Sequence, residues 1–290
     1  MPKIRFIFFG TDLFSVDVLT ALASRGYIPA AVVTIPDTPA RTNGYLLQRS
    51  SAARWADAHQ IPVLQPENLK DDMARIQIEE YAPTVCIVAS YGKIIPQSIL
   101  DIPARGFLNV HPSLLPKYRG ASPLEAQILN EEHPENTGIT IMEMDAEMDH
   151  GAIVAQKTLD TSYEWPMPAP KLSEILARMG GDMLVDILPQ WVLGDISPIP
   201  QVHEHATYTK KIVKEDALVS LSDDSETLWR KFLAYQPWPG IFFMHIHAGK
   251  EIRVRITDAV YTDGMFTPTC VLPEGKKEMD WGAFQNGYGA

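Results

Sequence analysis

Across the first two-thirds of the chain, short apolar runs alternate with amphipathic stretches, and this alternation limits the fold more than any other feature. Ile4–Phe9, Ala30–Ile35, Thr84–Ala89 and Phe107–Val110 read as short buried strands. The helical patterns Ser15–Arg25, Gln48–His59 and Glu67–Tyr81 lie between them. Strand runs that are apolar throughout, with amphipathic helices between them, predict a mostly parallel sheet covered on both faces. Thr137–Met144 and Gly151–Leu159, separated by an acidic turn, resemble an antiparallel pair, and Lys171–Val192 reads as a long closing helix. The fold class expected is α/β, Rossmann-like and mostly parallel, followed by something smaller.

At 290 residues the chain is about twice the ~150-residue prior for one domain, so two are expected. Residues 195–207 are polar, with Pro and His, and read as a linker between domains 1–194 and 208–290. Beyond it, Ser225–Tyr235 reads as a helix. Ile241–His247 and Glu251–Tyr261 alternate as strands of a small sheet or barrel. Tyr261 to Val271 leaves little room for a further hairpin, so this domain is expected to be a shortened one.

Composition excludes several classes. No run approaches the roughly 18 apolar residues of a membrane span, and Ile4–Phe9 is too short for a signal-peptide core. Cys86 and Cys270, far apart, provide neither a disulfide framework nor a Cys-rich zinc site, so a cytoplasmic protein without metal is expected. The net charge of −11 is uneven: residues 1–204 carry 15 Lys and Arg against 25 Asp and Glu, residues 205–290 carry 10 against 11. Such a chain is not built for indiscriminate nucleic-acid binding, although a local basic patch can still grip a polyanion.

Three segments carry chemistry. Gly10-Thr11 sits between the first strand and first helix, where doubly wound sheets place ligands, but it lacks the G-x-G-x-x-G of a dinucleotide site. Asn109 and His111, two apart at the end of a strand, project to the same side. An amide able to donate to an oxyanion beside an imidazole able to move protons suits acyl transfer. The Met144–Gly151 turn brings Asp145, Glu147, Asp149 and His150 without EF-hand or H-E-x-x-H spacing. A carboxylate from it placed against His111 would orient the imidazole and favour its charged form.

The string Ser113-Leu114-Leu115-Pro116-x-x-Arg119-Gly120, preceded by Asn109-x-His111 and followed by Met144-Asp145-x-x-Met148-Asp149-x-Gly151, resembles the 10-formyltetrahydrofolate-dependent formyltransferases. Phe9-Gly10-Thr11, Val88–Pro96, Gly138–Met142, Thr207-Tyr208-x-Lys210-Lys211, Pro237-Trp238-Pro239 and Gly275-Lys276-Lys277 extend the likeness nearly end to end. The resemblance implies a formyltransferase domain followed by an OB-like, tRNA-binding domain. It further implies transfer of a formyl group from 10-formyltetrahydrofolate to the free amine of methionyl-initiator tRNA, for translation initiation. Asn109, His111 and Asp149 would be the catalytic centre. The folate cosubstrate would be held by Ser90, Tyr91, Gly92, Lys93, Ile94, Ile95, Ser113, Leu114, Leu115, Pro116, Met144, Asp145 and Met148. The tRNA substrate falls to Gly10, Thr11, Arg41, Arg119, Lys210, Lys211 and Lys214, and a monomer is expected.

The loop Asp37–Gly44 departs from the basic, Gly-rich loop usual in bacterial members, leaving Arg41 as its cation. The same centre would also serve a sugar-amine N-formyltransferase, or a 10-formyltetrahydrofolate hydrolase with water in place of the amine. A non-catalytic folate- or RNA-binding module would not need Asn109, His111 and Asp149 together.

Overall fold

The computed structural model describes residues 4–39 and 47–289, so Arg41 lies outside the described residues. The chain forms two compact units. The larger takes residues 1–120, 135–159 and 173–208; the smaller takes 121–134, 160–172 and 209–290.

In chain order the first elements are β1 (Phe6–Gly10), α1 (Leu13–Ser24), β2 (Ala31–Val33), α2 (Ser51–Ala58), β3 (Val63–Leu64), α3 (Asp72–Glu79), β4 (Val85–Ala89), α4 (Gln97–Leu100) and β5 (Phe107–His111). Next come α5 (Pro123–Asn130) in the smaller unit, then β6 (Gly138–Glu143), β7 (Ile153–Thr158) and the long α6 (Ala169–Leu193). The seven strands of the larger unit lie in the order β7-β6-β5-β4-β1-β2-β3. β1 to β5 are mutually parallel, while β6 runs antiparallel to both β5 and β7. The apolar strands are apolar because both faces are covered: every residue of β1 and of β4 is buried. Each fully buried Ile or Phe contributes about 1.5–3 kcal/mol.

Helix starts follow local chemistry. Asp12 accepts from Ser15 N at 3.3 Å and caps α1; Ser50 accepts from Ala53 N at 3.0 Å and caps α2. α6 approaches the sheet closely through Gly180 and Gly181. A Cβ at Gly180 would lie 2.5 Å from Val110 Cγ1, and one at Gly181 2.5 Å from the Ala21 methyl, so the pair lets α6 lie against β5 and α1 together.

The strand order reverses between β1 and β4, whose carboxyl ends meet at Gly10 and Ala89. Asn109 lies beside Val88 of β4. The crevice beyond these strand ends is where open α/β sheets bind ligands.

The smaller unit adds α7 (Ser225–Ala234), β8 (Phe242–His247), β9 (Lys250–Thr262), β10 (Met265–Pro273), β11 (Met279–Asp280) and α8 (Trp281–Tyr288). Its strands form an antiparallel meander in sequence order. β9 and β10 form a hairpin in which Asp263 (φ 52°) and Gly264 (φ 75°) turn the chain in two residues, both left-handed as tight hairpin turns require. α8 is held by Phe284, which is fully buried and stacks between Trp281 and Tyr288. Arg230 of α7 donates through Nη1 to the carbonyls of Ile128 and Glu131 at 2.9 and 2.8 Å, satisfying groups that the end of α5 leaves open. No helix among the described residues is long and apolar enough to cross a membrane.

Candidate active site

β5 presents Asn109 half-buried and His111 buried at its carboxyl end, and the turn after β6 brings Asp149 to them. Asp149 Oδ1 lies 3.4 Å from Asn109 Nδ2 and 3.6 Å from His111 Nδ1. Its other oxygen, Oδ2, accepts from the backbone N–H of Gly120 at 2.8 Å. His111 Nε2 lies 3.0 Å from the carbonyl oxygen of Tyr118; a carbonyl only accepts, so Nε2 carries a proton. A doubly protonated ring satisfies both sides, through Nε2 to Tyr118 and through Nδ1 to Asp149. The spacing around Oδ1 is loose for hydrogen bonds, a usual state of catalytic groups before substrate draws them together. Asn109 keeps a second amide N–H with no partner among the described residues.

Two features of the chain make this convergence possible. Asp149 has a left-handed backbone (φ 51°), which Asp tolerates better than most residues. Gly151 follows because a Cβ there would lie 1.9 Å from Glu143 O.

The remaining expected residues fall into groups. Gly10 ends β1, and Thr11 is tied to the segment after β4, its Oγ1 donating to Tyr91 O at 2.9 Å. In that segment Ser90 and Gly92 both have positive φ, and the Ser90 hydroxyl donates to Asp12. Tyr91 is buried edge-on against Phe9; burial pushes its phenol up to about 12, and its hydroxyl has no partner among the described residues. Lys93 Nζ donates to the carbonyls of Pro66 and Glu67 at 3.0 Å each. Ile94 is 89% exposed whereas Ile95 is buried.

The Ser113–Pro116 stretch is fastened inward. Thr140 Oγ1 donates to Ser113 O at 2.6 Å and accepts from Leu115 N at 3.1 Å, and Gln156 donates to Leu115 O at 2.6 Å. Leu114 and Pro116 are half-buried and Leu115 is buried. Met144 packs its side chain on the apolar cluster that includes Phe9 and Tyr91. Asp145 is exposed and pairs with His150 at 2.6 Å, and Met148 is 60% exposed. Arg119 is 1% exposed, its guanidinium bonded to Gln201, His203 and Tyr208. Lys210, Lys211 and Lys214 are exposed and belong to the smaller unit, described by itself.

Sequence reasoning did not single out Gln201, the Tyr118 carbonyl or the Gly120 amide. Backbone groups carry no side-chain signature, and Gln201 sits in a stretch whose polar composition resembles any linker.

The formyl transferase family matches residues 2–164, and the formyl transferase C-terminal domain matches residues 211–270. The chain is 39% identical over 268 residues to a methionyl-tRNA formyltransferase of Chloroflexus aurantiacus, covering 92% of this chain and 84% of that protein. It is 35% identical over 309 residues to that of Thermus thermophilus, covering 98% and 96%. Among solved structures it is similar to HypX of Aquifex aeolicus in complex with tetrahydrofolic acid (TM-score 0.67, 17% identity, 99% of this chain and 47% of that one). It is also similar to a methionyl-tRNA formyltransferase of Clostridium thermocellum (TM-score 0.61, 16% identity, 96% and 99%). At these identities the structural matches speak to the fold alone.

Proposed function

The chain belongs to the methionyl-tRNA formyltransferase family, and from that premise we propose that it takes its formyl group from 10-formyltetrahydrofolate and passes it to the amine of methionyl-initiator tRNA at Asn109, His111 and Asp149. The observation that carries this reading is the meeting of those three side chains at one end of the sheet, with an unused Asn109 N–H.

The residues present fit a flat, largely apolar donor. Ile94 follows β4 and Met148 immediately precedes Asp149, and both leave most of an apolar side chain in water, where covering it is favourable. The buried, unpaired hydroxyl of Tyr91 supplies a polar group in the same segment as Ile94. Ser90, Gly92, Lys93, Ile95, the Ser113–Pro116 stretch, Met144 and Asp145 shape and fasten this wall.

10-Formyltetrahydrofolate, when bound, supplies an activated formyl group. Asn109, through its second N–H, and protonated His111, through Nδ1, stabilise the oxygen that gains charge as the amine attacks, an effect of about 3 kcal/mol for one good donor. Asp149 Oδ1 receives the proton the amine must lose, and this proton passes by way of His111 Nδ1 to the donor nitrogen as the bond from that nitrogen to the formyl carbon breaks and tetrahydrofolate leaves; Gly120 N–H keeps the carboxylate in place. Tyr118 O holds His111 by Nε2, so ring rotation does not compete with proton movement at Nδ1. No nucleophilic side chain is required. Arg41, Lys210, Lys211 and Lys214 contact tRNA phosphates, with Gly10 and Thr11 shaping the floor beside the acceptor end. The enzyme works as a cytoplasmic monomer.

Incubating the protein with 10-formyltetrahydrofolate and charged initiator tRNA, an amino sugar nucleotide, or no acceptor tests this. Formyl-methionyl-tRNA is expected only in the first. Transfer to the sugar, or donor hydrolysis at an equal rate without acceptor, contradicts it.

A further inference from the structure

Asp149 holds a left-handed backbone that non-glycine residues keep only where their surroundings impose it. Gln201 imposes it. This side chain is buried; its Nε2 donates to the carbonyl of Asp149 at 2.9 Å and to that of Gly151 at 2.7 Å. Its Oε1 accepts from Arg119, from Nη2 at 2.6 Å and from Nε at 3.2 Å. Peptide carbonyls can only accept and a guanidinium can only donate, so one orientation of the amide satisfies all of these groups. Arg119 is fixed in turn, with Nη1 donating to the Tyr208 hydroxyl at 3.2 Å and Nη2 to His203 Nδ1 at 2.9 Å.

The same stretch of chain reaches the other support of the centre. His111 bonds the carbonyl of the peptide joining Tyr118 to Arg119, and the N–H of that peptide donates to Thr207 O at 2.9 Å. Tyr118 N donates to Thr207 Oγ1 at 2.8 Å. Residues 201–208 therefore brace both flanks of the His111–Asp149 pair.

We infer that Gln201 is a positioning residue for formyl transfer: it holds the Asp149 backbone so that Oδ1 faces His111, and Arg119 orients its amide. Gln201 touches no reacting atom. The inference rests on the catalytic role proposed for Asp149.

Gln201→Glu separates positioning from folding, because the carboxylate still offers an oxygen to Arg119 but turns an acceptor, not a donor, toward the two carbonyls. In this variant and in Gln201→Ala, kcat is expected to fall by about tenfold or more, the scale for a slightly misplaced catalytic group. KM for charged tRNA and for the folate donor should stay within roughly twofold, since neither substrate loses a contact. In an Asp149→Ala background the same substitutions should cost less than about twofold, because a residue acting through Asp149 has nothing left to position. Turnover of Gln201→Glu equal to that of the unaltered protein, or a full additive loss in the Asp149→Ala background, would overturn the inference. Failure of both Gln201 variants to fold would also overturn it, making Gln201 part of the scaffold. A fully active Asp149→Ala protein would instead overturn the catalytic reading, and this inference with it.

Discussion

His111 gives its Nε2 proton to the carbonyl of Tyr118 at 3.0 Å, which leaves Nδ1 as the nitrogen that faces Asp149. The edge of the imidazole that faces Asp149 is thus set by a backbone group seven residues away in sequence.

On the proposed mechanism, which works through Nδ1, His111→Ala should lower formyl transfer by roughly two orders of magnitude or more, the scale for a lost acid–base group. Asp149→Asn should do the same while staying folded, since an amide oxygen can still accept from Gly120 N–H. Single-turnover assays, with circular dichroism as the folding control, decide the matter; near-native turnover in either folded variant contradicts the assignment.

Gly151→Ala should destabilise the protein by about 3 kcal/mol, because the added methyl meets a main-chain oxygen, which cannot rotate away as a side chain can. Urea midpoints would measure it. A cost under about 0.5 kcal/mol would show that the turn shifts freely.

The parts of the fold that could be read in advance are those where burial dictates residue type. β1 and β4 are apolar along almost their whole length because both sheet faces are covered, and β5 is apolar apart from Asn109 and His111. β3, Val63–Leu64, is two half-buried residues at the sheet edge and leaves no periodic trace. α8 contains Gly282 and Gly287, poor helix formers, and exists because Phe284 has a place to be buried. Asn109 and His111 were visible as neighbours on one strand face. That Asp149 meets them depends on a turn held by Gln201, 52 residues further on, and distance along the chain hides such a contact.

Burial raises the Glu125 carboxyl above its ordinary value of 4.5, opposed in part by its own backbone N–H. The folded protein therefore holds this proton to a higher pH than the unfolded chain does. Its contribution is complete below the unfolded value and is lost as pH rises from about 4.5 through the folded value. Glu125→Gln should raise the melting temperature near neutral pH and change it little in acid. Identical shifts at both pH values would show that Glu125 ionises without penalty.

Replacing Lys210, Lys211 and Lys214 together with Ala should raise KM for charged tRNA far more than it lowers kcat, because phosphate contacts are equal in ground and transition states. The log–log salt dependence of tRNA binding should flatten by roughly 0.7–0.9 per lost contact. An unchanged slope would assign these exposed lysines to solvent alone.

The cap that Arg230 places on the end of α5 spans 102 residues of sequence to Ile128. At roughly 5–20 residues per second of synthesis, α5 leaves the ribosome on the order of 5–20 seconds before α7 exists to cover it. The smaller unit is thus finished from its far end. Its first helix must wait, with the Ile128 carbonyl still lacking Arg230, while the last third of the larger unit, residues 135–159 and 173–208, is made, and a chaperone that delays this segment would act in that interval.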